Sequence, residues 1–288
     1  MPIPGWAPSS GDWTTPLPGW PRPAAPPDYD AINEARLARS ITVSLNGFTA
    51  SNVDKAGTRE EISLEAVEGW WDPVGDRTES IPHPRGDGDV SFRLLQGGRV
   101  ITVSGMIETD YQNADASRLL TLMDDVTAQT RSGTLLVQEH LRGMMREADV
   151  RRLSLQMTPL GHAHAVFTLV FSADDPIRYG SGVRTLPRNV AVGVQNPGDA
   201  PRTNPILEWT GAATNPGVNF GTLNWRLGEN TAAGDKMLVN CRDGTVFKNG
   251  SQIFPAWTGI WPYTSPVNTF QFTAVGTSMT MRRAAGWS

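Results

Sequence analysis

Apolar residues in this chain come in short alternating runs, each cut off by a glycine, proline or Asx pair before a helix could form. Ile41, Val43 and Leu45, then Ile62, Leu64 and Ala66, recur at every second position, the period that puts one face of a strand on a core. Residues 90–95 and 99–107 flank Gln96-Gly97-Gly98, which predicts a hairpin. Residues 135–137, 150–157 and 166–171 continue the strand pattern up to Ser172-Ala173-Asp174-Asp175-Pro176, a turn by composition. One segment breaks the rule. Over residues 113–130, Ala116, Leu119, Leu120, Met123 and Val126 fall on one helical face, with Gly133 expected to end the helix.

Beyond about residue 185 the texture is purely β. Strands are predicted near residues 190–194, 206–209, 223–227 and 236–240, with the last pieces at 270–272 and 278–281. Asp243-Gly244 and Asn249-Gly250 accept the positive φ of two-residue turns and so predict a three-stranded meander. With 29 glycines and 22 prolines in 288 residues, the fold class expected is mainly β. A barrel- or sandwich-like first domain with one helix occupies residues 40–185, and a β-sandwich occupies 186–288.

Residues 1–27 hold nine of the prolines and cannot build a core. Trp6, Trp13 and Trp20 recur there every seven residues, two of them in Pro-Gly-Trp triplets. We read residues 1–39 as an extended arm that docks aromatic anchors on a neighbour; at about 3.1 Å per residue such an arm reaches tens of ångströms.

Charge and composition exclude several functions. The net charge of −4 disfavours nucleic-acid binding as the main activity. It is unevenly spread: residues 1–185 carry 17 Lys and Arg against 24 Asp and Glu, whereas residues 186–288 carry 8 against 5. No apolar run approaches a membrane span and residues 1–27 lack a secretory pattern, so neither membrane insertion nor export is expected. Cys241 is the single cysteine, expected to be packed and not reactive.

Candidate chemistry is thin. His162 and His164 alternate on a predicted strand, but two ligands do not make a metal site. Arg85-Gly86-Asp87 sits in a proline- and glycine-rich loop, and Asp87 with Asp89 lacks the remaining ligands of a calcium loop. Asp124-Asp125 and Asp174-Asp175 diverge as sequence neighbours, so neither forms a catalytic dyad. No nucleophile elbow, phosphate loop or zincin motif is present. The expectation is no enzyme, no catalytic residue, no metal and no cofactor. Trp257, Trp261 and Tyr263 are interface or packing aromatics, with glycan stacking as the rival reading.

The order of several short motifs resembles the siphophage distal tail proteins. Gly98-Arg99-Val100-Ile101-Thr102-Val103-Ser104-Gly105, the helix carrying Leu119 to Met123, and Val150-Arg151-Arg152 match the family's first domain. Phe167 to Phe171 running into Ala173-Asp174-Asp175-Pro176, then Arg178-Tyr179, matches the way that domain closes. Asn196-Pro197-Gly198, Asn204-Pro205-Ile206-Leu207-Glu208-Trp209, Gly211 and Asn215-Pro216 match the opening of its galectin-like sandwich. The resemblance covers roughly residues 40–288 and leaves the arm unexplained. It implies a structural virion protein at the tail tip, made in the host cytoplasm. First domains would form a hexameric ring and second domains project outward, joining the tail tube protein to the tip hub. Tape-measure protein and DNA would pass through the lumen without specific binding, past an acidic wall. The alternative is a carbohydrate-binding adhesion module that contacts the host surface.

Overall fold

The computed structural model describes residues 40–53, 61–74, 76–77, 80–82, 89–91, 95–109 and 116–288. The arm with Trp6, Trp13 and Trp20, and the tripeptide Arg85-Gly86-Asp87, lie outside the described residues. Residues Leu37–Ser288 form one compact unit, in which two separate apolar cores are built.

The first core fills a closed barrel. Its strands are β1 (Ile41–Leu45), β2 (Phe48–Ser51), β3 (Ile62–Glu68), β8 (Arg99–Glu108), β9 (Ser132–Glu139), β10 (Met144–Pro159) and β11 (His164–Ala173). Between β3 and β8 lie β4 (Asp76–Arg77), β5 (Ser80–Pro82), β6 (Asp89–Ser91) and β7 (Leu95–Gln96), paired β4 with β7 and β5 with β6. The barrel order is β11-β8-β3-β2-β1-β9-β10, and β10 closes it by pairing with β11 through eight residue pairs from Arg151↔Ser172 to Pro159↔Ala165. Closure removes the exposed edges an open sheet would leave. Period two is visible throughout: Ile101, Val103 and Ile107 of β8 and Phe167, Leu169 and Phe171 of β11 point inward and are buried. Gly105 faces the same interior because nothing larger fits. A Cβ there would lie 2.2 Å from the Ser63 carbonyl oxygen and 2.7 Å from the Phe167 ring.

Helix α1 (Ala116–Gln129) packs against β2 and β8 with Leu119, Leu122 and Val126 buried. Leu120, expected on that face, is 60% exposed. Gly133 does not end the helix; it is the second residue of β9. The stop is made by side chains that satisfy the last carbonyls: Thr130 Oγ1 donates to Val126 O at 2.6 Å, and Arg152 Nη1 donates to Thr127 O at 2.9 Å. The hairpin expected at Gln96-Gly97-Gly98 is also corrected. β7 pairs with β4, and β8 pairs with β3 and β11. Gly98 instead suits a close approach, since a Cβ would sit a tight 3.1 Å from Ala173 O.

The second core lies between two antiparallel sheets. One has the order β13 (Arg184–Leu186), β23 (Met279–Arg282), β15 (Ile206–Thr210), β18 (Lys236–Asn240), β19 (Thr245–Lys248), β20 (Ser251–Ile253). The other has the order β14 (Ala191–Val194), β22 (Phe270–Val275), β16 (Gly217–Phe220), β17 (Leu223–Leu227), β21 (Trp257–Gly259). The meander β18-β19-β20 is present, and Asn249 (φ 52) with Gly250 (φ 82) forms the two-residue turn expected. Asp243-Gly244 does not. Asn240 pairs directly with Thr245, so four residues make that loop, and of the pair only Gly244 has positive φ. Inside the sandwich, Phe220 stacks on Phe272 with centroids 5.4 Å apart, and Trp225 is fully buried.

Two further strands tie the halves together. β12 (Arg178–Gly180) pairs with the start of β10, and β24 (Gly286–Trp287), reached only after the sandwich is complete, pairs with β12. The barrel sheet therefore ends on the last residues of the chain.

Candidate assembly surfaces

The turn Ala173-Asp174-Asp175-Pro176 sits where β11 leaves the barrel, and its two aspartates do different work. Asp175 is 6% exposed. Its Oδ1 accepts from the Ile177 N–H at 3.1 Å, and its Oδ2 accepts from the Tyr179 hydroxyl at 2.7 Å and pairs with Arg242 at 2.6 Å. Arg242 belongs to the β18–β19 loop, so one buried carboxylate joins barrel to sandwich. Burial, then the charge and hydrogen bond of Asp175, raises the Tyr179 hydroxyl far above its ordinary value. Asp174 points outward, 3.8 Å from Arg151, which is itself exposed.

A second link runs through Arg283, held at φ 59, a region an L-residue with a long side chain rarely occupies. Its Nε donates to Glu147 at 2.5 Å and its Nη1 and Nη2 to Asp149 at 2.7 and 2.8 Å, while its plane lies over Tyr179 at 5.1 Å. Burial would raise the Asp149 carboxyl, but the hydrogen bonds and charge of Arg283 outweigh it and hold the group below the usual carboxylate range. Asp149, Asp175 and Arg242 line a cleft of about 360 Å³ between the halves. Its carboxylates are already committed to arginines, which leaves little to activate a substrate.

Three buried arginines close one end of the barrel. Arg99 Nη1 donates to the carbonyls of Gly69, Trp70 and Asp72 at 2.7–3.0 Å, and Arg178 Nη1 shares Trp70 O at 2.6 Å. Arg146 lies 4.5 Å over Trp287 and bonds Glu139 at 3.1 Å, which also receives Trp71 Nε1 at 3.3 Å. Burial first, then repulsion by Arg99 and Arg146, lowers Arg178 to about 10, still protonated at neutral pH.

Three successive rungs of the barrel's outer wall carry no charge, between Arg151 at one end, opposite Ser172, and Glu108 at the other, opposite His164. Ser154, Gln156 and Thr158 of β10 oppose Val170, Thr168 and Val166 of β11, which oppose Thr102, Ser104 and Met106 of β8. Leu153, at the bulge in β10, and Leu160, just past its end, are 53% and 59% exposed. Depletion of charge with scattered exposed apolar groups is the composition of an interface centre, not of a solvated wall.

Of the aromatics singled out in the sequence, the structure brings two together. Trp257 and Trp261 have centroids 5.1 Å apart, and Trp261 lies 5.1 Å from buried Trp225. Tyr263 is not part of that ladder. It packs edge-on against Phe220 and Phe270, with the Arg202 guanidinium 4.0 Å above it. Phe254, 89% exposed, escaped the sequence reading because nothing distinguishes a protruding phenylalanine from a packed one in so apolar a run. His162 precedes β11 and does not share its strand with His164. Cys241 is buried just beyond β18, and burial raises its thiol well above the ordinary value. Among the described residues no group of three His, Cys, Asp or Glu is placed to hold a metal ion, and no helix is long and apolar enough to cross a membrane.

No protein-family model matches the chain, and no curated protein matches it in sequence. Solved structures do. The crystal structure of SPP1 Dit (gp 19.1), described as a paradigm of the hub adsorption apparatus in phages infecting Gram-positive bacteria, aligns at TM-score 0.54 and 18% identity over 84% of this chain and 98% of that one. The phage P2 baseplate in its Ca-activated conformation aligns at TM-score 0.48 and 9% identity over 84% of this chain and 97% of that one. The alignment takes in nearly the whole of SPP1 Dit, a distal tail protein of a siphophage, and the chain has its fold.

Proposed function

We propose that this chain is a structural protein of a phage tail tip and not an enzyme: copies assemble as a ring, hexameric by analogy, that joins the tail tube to the tip proteins. The patch of three uncharged rungs on β8, β10 and β11, flanked by exposed Leu153 and Leu160, carries this reading. A protein that worked alone would gain solubility from charge there, whereas a subunit gains contact area without burying unpaired ions. Residues 40–185 form the annulus and residues 186–288 project from it. The arm of residues 1–39 docks on a tail neighbour. The excess of acidic residues in the first part of the chain suits a lumen through which tape-measure protein and DNA slide. Native mass spectrometry and electron microscopy of the purified protein test the ring. Six copies in cyclic symmetry are expected, and Thr168→Glu with Val170→Glu should give monomers of unchanged fold. A monodisperse wild-type monomer at high concentration would refute it, and net basic residues facing the pore would refute the acidic lumen.

The half-exposed Trp257 favours one rival, a carbohydrate-binding sandwich. Saturable binding of a cell-surface glycan by the full chain, lost in Trp257→Ala, would support that rival.

A further inference from the structure

Both sheets of the sandwich finish on the same stretch of chain. β20 is an outer strand of one sheet and β21 of the other, and Phe254-Pro255-Ala256 crosses between them. Phe254 is 89% exposed, Trp257 47% and Ile260 47%. Behind Trp257 the ladder through Trp261 to Trp225 runs into the core, so that surface ring rests on fixed aromatic neighbours. An aromatic platform ordered before its partner arrives pays little further side-chain entropy on binding. The stretch has no charge: residues 251–281 contain no Asp, Glu, Lys or Arg. An anionic or cationic partner would find nothing to pair with, and an uncharged, ring-rich partner loses nothing by burial there.

The chain itself supplies such a partner. Residues 1–27 contain nine prolines and three tryptophans but only two charged residues, Asp12 and Arg22. Proline-rich peptides are recognised by aromatic-lined surfaces, on which pyrrolidine rings lie flat. Thirty-nine residues precede Ser40, and a proline-rich segment of 27, if extended, would span about 80 Å. We propose that the Pro/Trp-rich arm of one copy docks on the exposed aromatic stretch around Phe254 and Trp257 of a second copy, stitching adjacent subunits together. The inference rests on the ring reading for the proximity of copies, which raises the effective concentration of the arm to the millimolar range.

The test titrates a fluorescent peptide of residues 1–27 into the full chain carrying Trp6→Ala, Trp13→Ala and Trp20→Ala, whose platform is intact but whose own arm lacks its anchors. Saturable binding is expected, weakened about tenfold or more by adding Phe254→Ser or Trp257→Ala, as for other aromatic hot spots. Phe254 is so exposed that its replacement leaves the fold intact, which unchanged thermal unfolding checks. Absence of saturable binding, or equal affinity in the platform variants, overturns the proposal. So does binding of a soluble cell-wall saccharide at Trp257 by a chain that ignores the peptide. Particle mass, measured on the same samples, reports the ring separately, so a missing ring with intact peptide binding refutes only the preceding reading.

Discussion

Asp174 and Asp175 are adjacent and chemically identical, yet the structure assigns them opposite weights. Replacing Asp175 by alanine strands the buried Tyr179 hydroxyl, whose acceptor it is, at a cost of about 1–3 kcal/mol. Loss of the bond from the Ile177 N–H adds about 1 kcal/mol. The ion pair with Arg242 adds little, up to about 1 kcal/mol, because Arg242 is half-exposed and returns to water. The sum is about 3 kcal/mol, which for a chain of this size lowers Tm by roughly 6–12 °C. Asp174→Ala removes only an exposed pair at 3.8 Å and should change stability by less than about 0.5 kcal/mol. Thermal and urea unfolding of the two variants beside wild type decide the matter. Comparable effects, or an Asp175→Ala protein as stable as wild type, would show that the barrel–sandwich joint does not hinge on this carboxylate.

The pH dependence of the joint follows from Asp149, whose pKa is depressed in the folded chain by Arg283. A depressed carboxylate stabilises fully above its unfolded value of about 3.9, and the contribution is lost as pH falls below that value through the folded pKa. Arg283→Met should therefore lower stability at pH 7 and flatten the acid limb below about pH 4; parallel wild-type and variant curves in urea unfolding from pH 3 to 7 would contradict this. Gly105→Ala forces a methyl against the Ser63 carbonyl and the Phe167 ring and should cost about 1–3 kcal/mol, read by chemical denaturation. Cys241 should resist a thiol-specific reagent in the native state and react stoichiometrically in denaturant; fast native labelling would mean that the loop after β18 opens.

The strands with clean alternation were legible because period two and burial coincide, as in β1, β8, β11, β15 and β18. Asn249-Gly250 was legible for a local reason, its two positive φ values, and Asn46-Gly47 closes β1 onto β2 by the same means. The helix was legible from its periodicity, but its end was not: Arg152, which caps it, comes from a strand over twenty residues away. Glycines misled for a related reason. Gly98 and Gly133 look like turn residues, yet the first packs closely on Ala173 and the second lies inside a strand against Asn46. Barrel closure was beyond reading altogether, because the length of β10 that lets its first half pair with β9 and its second half with β11 leaves no mark in composition. Of the aromatics, sequence could nominate Trp257 and Trp261 but not the exposure of Phe254, nor separate Tyr263 from the ladder.

The pairing of β24 with β12 has a consequence for synthesis. Residues 178–179 leave the ribosome more than a hundred residues before their partners 286–287, and domains fold from the N-terminus as they emerge. The barrel can complete its own hydrogen bonding early, but Arg178 and Arg146 wait for Trp287 and Ser288 to cover them. A chain synthesised only as far as the sandwich strands therefore carries a barrel whose arginine-lined end is still open, and residues 286–288 must follow before it is sealed.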